Sequence, residues 1–171
     1  MQIEFGQTAP KGGPPQASGE MAFHRAPVVG PLLSQHGVLH HIGFAVASIL
    51  KSAEQFAPST ATCWDGKVIH DPVQRVRVAF FTPRDPHNPV FELVEPACET
   101  SPVTNFLKTG PGLHHVCYEI DDLEAALREA RSSRLAIVAA PAPAVAFGGR
   151  RIAWVCSRSR LLMEFLERER R

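Results

Sequence analysis

The stretch Leu39-His40-His41-Ile42-Gly43-Phe44-Ala45-Val46 decides the fold, because the chain says it twice. It returns as Leu113-His114-His115-Val116-Cys117-Tyr118-Glu119-Ile120, 74 residues later. Arg77-Val78-Ala79-Phe80-Phe81 returns as Arg151-Ile152-Ala153-Trp154-Val155 at the same spacing of 74. Phe91-Glu92-Leu93-Val94-Glu95 returns as Met163-Glu164-Phe165-Leu166-Glu167, 72 residues on. Three blocks in one order at nearly one offset mean two copies of one structural module. The repeated positions include two histidines and two glutamates, so the duplication bears on chemistry as well as on fold.

The elements follow from the pattern around these blocks. Leu39 to Val46 reads as a strand. A short helix follows from about Ser48 to Phe56 and is expected to end at Pro58. Residues 59–70 are turn-rich, with a strand expected near Lys67 to His70. Gln74 to Phe81 and Val90 to Glu95 read as strands joined through Pro83 to Pro89. Ser101 to Lys108 reads as a short helix, with Ser101 as N-cap and Pro102 in the first turn. After Gly110-Pro111-Gly112 the second copy opens with a strand, Leu113 to Ile120. A helix capped by Asp121 or Asp122 runs to about Ser133, with Leu123, Ala126, Leu127 and Ala130 on one face. Strands are expected at Leu135 to Ala139, Arg150 to Cys156 and Leu161 to Leu166, with a loop at Pro141 to Val145.

The reading is therefore α+β, with two tandem βαβββ modules spanning 37–110 and 111–168. They are expected to pair edge to edge into a cupped, incomplete barrel with the helices outside. Residues 1–36 are rich in Gly, Pro, Ser and Gln and read as a flexible leader. The 171 residues thus hold one domain of two half-domains.

Composition excludes some partners. A net charge of +1 gives no global argument for nucleic acid or an anionic membrane. No apolar run approaches the ~20 residues of a membrane span. The start of the chain lacks a secretory pattern, and the four cysteines form no Cys-x-x-Cys pair. These features read as a cytoplasmic protein with reduced thiols. Arg75, Arg150, Arg151, Arg158 and Arg160 are of a type able to bind phosphate or carboxylate; taken one by one they read as solvated cations.

Strand periodicity places the repeated polar residues. His41 shares a face with Gly43 and Ala45, which leave room beside it. His115 shares one with Cys117 and Glu119. Glu92 lies between Val90 and Val94, and Glu164 between Leu162 and Leu166, so both face inward. A buried carboxylate is costly unless it is paired or bound to a metal. Two imidazoles and two carboxylates suit Zn, Mn, Co, Ni or Fe(II). His40 and His114 are expected on the opposite face, in structural roles.

These blocks resemble the paired signatures of the vicinal oxygen chelate superfamily, which includes glyoxalase I, extradiol dioxygenases, bleomycin-resistance proteins and methylmalonyl-CoA epimerases. The nearest resemblance within it is to the epimerases. It is carried by the segment Glu92 to Pro96, by Ser101 to Leu107, by Gly112-Leu113-His114-His115-Val116 and by Gly148-Gly149-Arg150-Arg151-Ile152. It covers about residues 38–168. The resemblance implies a single divalent metal ion (Co, Mn, Zn, Ni or Fe) on His41, Glu92, His115 and Glu164. It implies proton abstraction next to a carbonyl, with Glu164 as the base and Glu119 as a second candidate. The substrate it implies is a small molecule such as an acyl-CoA thioester, turned over by a homodimer without nucleic acid or membrane. Val78 departs from the pattern, standing where some epimerases carry a second carboxylate. A glyoxalase-type lyase, an Fe(II) dioxygenase and a non-enzymatic binding protein of the resistance type are the alternatives within the same superfamily. A carboxylate at Glu92 favours the isomerase and lyase side.

Overall fold

The structure is a computed structural model that describes residues 37–169; the leader reading of 1–36 falls outside them. The first copy contains β1 (Gly37–Ala45), α1 (Ile49–Ser59), β2 (Thr62–Trp64), β3 (Ile69–Asp71), β4 (Val76–Pro83) and β5 (Val90–Pro96). A linking helix, α2 (Pro102–Leu107), comes next. The second copy contains β6 (Gly112–Ile120), α3 (Leu123–Ser132), β7 (Ala136–Pro143), a 3-10 turn (Val145–Phe147), β8 (Arg151–Cys156) and β9 (Leu162–Glu167).

All nine strands form one mixed sheet in the order β2-β4-β5-β1-β6-β9-β8-β7, with β3 paired to β4. The order reads outward from the middle in the same way on both sides. β1 runs parallel to β5 and β6 parallel to β9, while β1 and β6 meet antiparallel at the junction. The two copies thus join through their first strands, and the sheet does not close into a barrel.

Each sheet face has its own core. On the helix side of the first copy, Ile49 and Ala53 of α1 pack on Ala79, Phe81 and Leu93. On the helix side of the second copy, Leu123, Ala126, Leu127 and Ala130 of α3 pack on Ala153, Val155 and Phe165. Asp122 caps α3 by accepting from the Ala125 N–H at 2.9 Å. The alternation of strand side chains then turns Glu92 and Val94, and Glu164 and Leu166, to the other face.

Several local expectations are corrected. α1 runs through Pro58 to Ser59, because a proline in the last turn loses only one helical hydrogen bond and the Thr60 N–H still reaches the Phe56 carbonyl at 3.1 Å. The 59–70 stretch holds a short strand, β2, that its turn-rich composition hides. β7 continues to Pro143, since an outermost strand can carry Pro141 and Pro143 with shifted register. Ser101 precedes α2 but makes no side-chain cap bond.

Candidate active site

Four strands deliver the repeated polar residues to one point. His41 comes from β1, His115 from β6, Glu92 from β5 and Glu164 from β9. Their relative exposures are 0%, 2%, 4% and 3%, so all four are out of contact with bulk water. The Nε2 atoms of His41 and His115 lie 3.0 Å apart. Glu92 Oε2 is 3.4 Å from each of them. Glu164 Oε2 is 3.4 Å from His41 Nε2 and 3.7 Å from His115 Nε2. Sequence-distant residues therefore bring both carboxylates within 3.7 Å of the two facing imidazoles.

The donors fit a metal ion. Ligand atoms about 2.1 Å from one first-row ion stand about 3 to 3.5 Å from each other, close to the 3.0–3.7 Å that separates the two imidazole nitrogens from each other and from the carboxylate oxygens here. Glu164 Oε2 is buried with no hydrogen-bond partner, a costly state for a carboxylate oxygen unless something else meets it. Gly43 makes the closure possible. A Cβ at that position would lie 2.0 Å from Cε1 of His115, so the His115 ring occupies the space a side chain would fill.

His40 and His114 were expected on the opposite face, and the structure corrects this. The register of β1 against β6 slips at Leu39/His41 and again at Gly43/Phe44. The extra residue is His40 in β1 and His114 in β6, so each copy carries one bulge. A bulge breaks the two-residue alternation and re-aims a side chain. His40 Nδ1 thereby lies 2.8 Å from His41 Nδ1, and His114 Nδ1 lies 3.0 Å from His115 Nδ1. One nitrogen of each central histidine is engaged by its neighbour, and the Nε2 atoms are left facing each other and the glutamates. The doubled histidine in both copies was the available signal for this pairing.

The two glutamates are pushed apart in acidity. Burial alone would raise Glu92, but His41 and His115 outweigh it and bring the carboxyl down to about 2. Burial raises Glu164, with repulsion from Glu92 adding to it against the two histidines. Burial drives His114 down to about 4, helped by His115. The shared burial and the two histidines thus move the two carboxyls in opposite directions. Cys117 is fully buried beside this centre, and its thiol is pushed up by burial and by the negative charge of Glu164.

Glu119 is not brought to this centre. It lies on β6 as expected, but Arg150 Nη1 donates to it at 2.5 Å and Arg168 stands 3.5 Å away. It is absent from the lining of the cavity described next. That cavity, of about 520 Å³, opens from the four-donor centre and includes Glu92, His115 and Glu164 in its wall. Val76, Val78, Val94 and Val103 supply one side; Ala144, Phe147, Ile152 and Trp154 supply another. Such a volume takes a small molecule, and the mostly apolar wall keeps water away from the polar end.

The paired-module sheet has counterparts among known families. Residues 40–154 match the model of the Glyoxalase/Bleomycin resistance protein/Dioxygenase superfamily, and the chain belongs to it. Among curated relatives, the ethylmalonyl-CoA/methylmalonyl-CoA epimerase of Cereibacter sphaeroides is 30% identical over 116 residues, covering 67% of this chain and 84% of the relative. Among solved structures, a hypothetical protein from Bacillus halodurans shares 27% identity at a TM-score of 0.67, covering 79% of this chain and 96% of its own. The methylmalonyl-CoA epimerase of Mycobacterium tuberculosis, at 24% identity, shares the fold with a TM-score of 0.62 over 77% of this chain and 88% of its own.

Proposed function

We propose that this protein is a metal-dependent epimerase that moves a proton at the carbon next to a thioester carbonyl of an acyl-CoA. One observation carries the reading: His41, His115, Glu92 and Glu164 come together at the buried end of an apolar cavity, with no hydrogen bond to Glu164 Oε2. His41, His115, Glu92 and Glu164 would hold the divalent metal. Bound there, such an ion supplies Lewis-acid polarisation of a carbonyl oxygen. The similarity to the Cereibacter sphaeroides epimerase supports the substrate class.

The chain's own residues divide the remaining work. Glu164 is the base. Its raised pKa brings its proton affinity closer to that of an acidic C–H than an ordinary carboxylate's. It takes the α-proton as the C–H electron pair passes into the enolate, and the proton held on Glu164 returns to the carbon once the enolate has turned its opposite face to that carboxyl. Glu92 remains ionised and offsets positive charge at the centre. Val78 faces the cavity from β4, so that strand provides no second carboxylate. The apolar wall excludes water that would otherwise stabilise the free carboxylate and weaken it as a base.

All four cysteines are free thiols, and among the described residues no helix is long and apolar enough to cross a membrane. The free thiols support placing the protein in the cytoplasm.

Deuterium incorporation tests the function. Metal-loaded protein incubated with methylmalonyl-CoA in D2O is expected to exchange the α-proton and interconvert the two epimers. Glu164→Gln is expected to abolish exchange, and Glu119→Gln to retain it. Oxygen consumption with a catechol in place of exchange would point instead to the dioxygenase alternative.

A further inference from the structure

The cavity has a second polar feature, at the far end of β4. Arg75, an exposed residue, is the one Lys or Arg in its lining among the described residues. Other arginines nearby are neutralised: Arg77 by Glu95, Arg150 by Glu119, Arg151 by Glu167 and Arg168 by Asp121. The guanidinium of Arg75 is paired with no carboxylate among the described residues. A lone cation on the wall of a mostly apolar cavity is an electrostatic feature without an internal partner.

Its backbone is fixed in place. Arg75 has φ +58°, the left-handed conformation that favours glycine. Its carbonyl accepts from the Ala97 N–H at 3.1 Å. The turn before it is tied by Asp71, which is 2% exposed and accepts from the Gln74 N–H at 2.9 Å. The other oxygen of Asp71 accepts from the Val145 N–H of the second copy at 2.8 Å. The turn that carries Arg75 is thus joined to both halves of the cavity wall.

Position sets the kind of group it meets. β4 pairs Phe80 with Glu92 and Val76 with Pro96, so Val76, which Arg75 directly precedes, stands four positions along the strand from the row of Glu92. At about 3.3 Å per residue those four positions are about 13 Å. A substrate whose reacting carbon lies at the four-donor centre reaches Arg75 only with an extended arm.

We propose that Arg75 is an anion-recognition residue, selecting substrates that carry a phosphate or carboxylate on the arm leaving the cavity. The proposal rests on the epimerase reading of the same cavity. A guanidinium suits either oxyanion through paired N–H donors. Arg75→Gly removes the charge and retains the residue type best suited to this φ; Arg75→Lys restores a charge. The test compares methylmalonyl-CoA with the N-acetylcysteamine thioester of the same acid, which has the reacting end and lacks the phosphates. Arg75→Gly is expected to raise KM for the CoA thioester about tenfold at unchanged kcat, with partial recovery in Arg75→Lys. KM for the short thioester, metal content and the Arg158→Ala control are expected to stay unchanged. Binding of S-methyl-coenzyme A, followed calorimetrically, separates this proposal from the catalytic reading. It should weaken in Arg75→Gly whether or not the protein epimerises anything. Equal affinities for that probe in wild type and Arg75→Gly, or an equal KM rise on both thioesters, would overturn the proposal.

Discussion

Gly43 and the paired histidines govern the centre at the scale of single residues. Gly43→Ala would press a methyl group onto the His115 ring, whose nearest atom would be 2.0 Å away. Either the ring or the β1–β6 junction must move. Metal affinity is expected to fall sharply in this variant, measured by competition with a chromophoric chelator, while β1 still forms. His40 and His114 act one step further out. A partner that orients a metal-binding imidazole is worth roughly 10 to 100-fold in affinity. His40→Ala is expected to lose that much, and His40→Asn, whose amide oxygen can accept from His41 Nδ1, to recover part of it. An unchanged affinity in His40→Ala would show that the 2.8 Å contact does not orient His41.

The turn before β4 is the sharpest test among the elements. Asp71 joins it to the 3-10 turn after β7, and the buried carboxylate has both oxygens engaged. Asp71→Ala leaves the Gln74 and Val145 N–H groups without their partner. A loss of about 1–3 kcal/mol of stability is expected, read as a lower midpoint in urea unfolding at unchanged slope. The same region shows what the sequence can and cannot disclose. The strands and helices that carry the repeat were legible because strong periodicity repeated twice: Leu123, Ala126, Leu127 and Ala130 are the buried face of α3. His41, Glu92, His115 and Glu164 were legible as a set because duplication singled them out. Their mutual distances were not, since those depend on how β1 and β6 meet. His40 and His114 were misread because strict alternation assumes no bulge, and a bulge is a property of pairing between strands far apart in the chain. Glu119 looked equivalent to the inward positions of β6, and only the fold reveals Arg150 and Arg168 beside it. The contact from Asp71 to Val145 joins residues that no local pattern relates.

The whole molecule is two half-domains whose shared center is built from both. β1 and β5 contribute His41 and Glu92, and β6 and β9 contribute His115 and Glu164, so neither half holds all four side chains. A metal bound there should fasten the halves together. Binding to the folded chain alone stabilises it by about 2.7 kcal/mol at a free ion concentration of 100 times Kd. Addition of a chelator is accordingly expected to lower the melting temperature of wild type. His41→Ala should be indifferent to the same treatment. The central claim is the four-donor metal centre, and metal content tests it most directly. Protein purified without chelators would be measured by elemental mass spectrometry as wild type, Glu92→Ala and His115→Ala, each checked for cooperative unfolding. The account predicts about one equivalent of divalent metal in wild type and its loss from both folded variants. Wild type that takes up no metal even after reconstitution would contradict it, as would folded Glu92→Ala that holds a full equivalent.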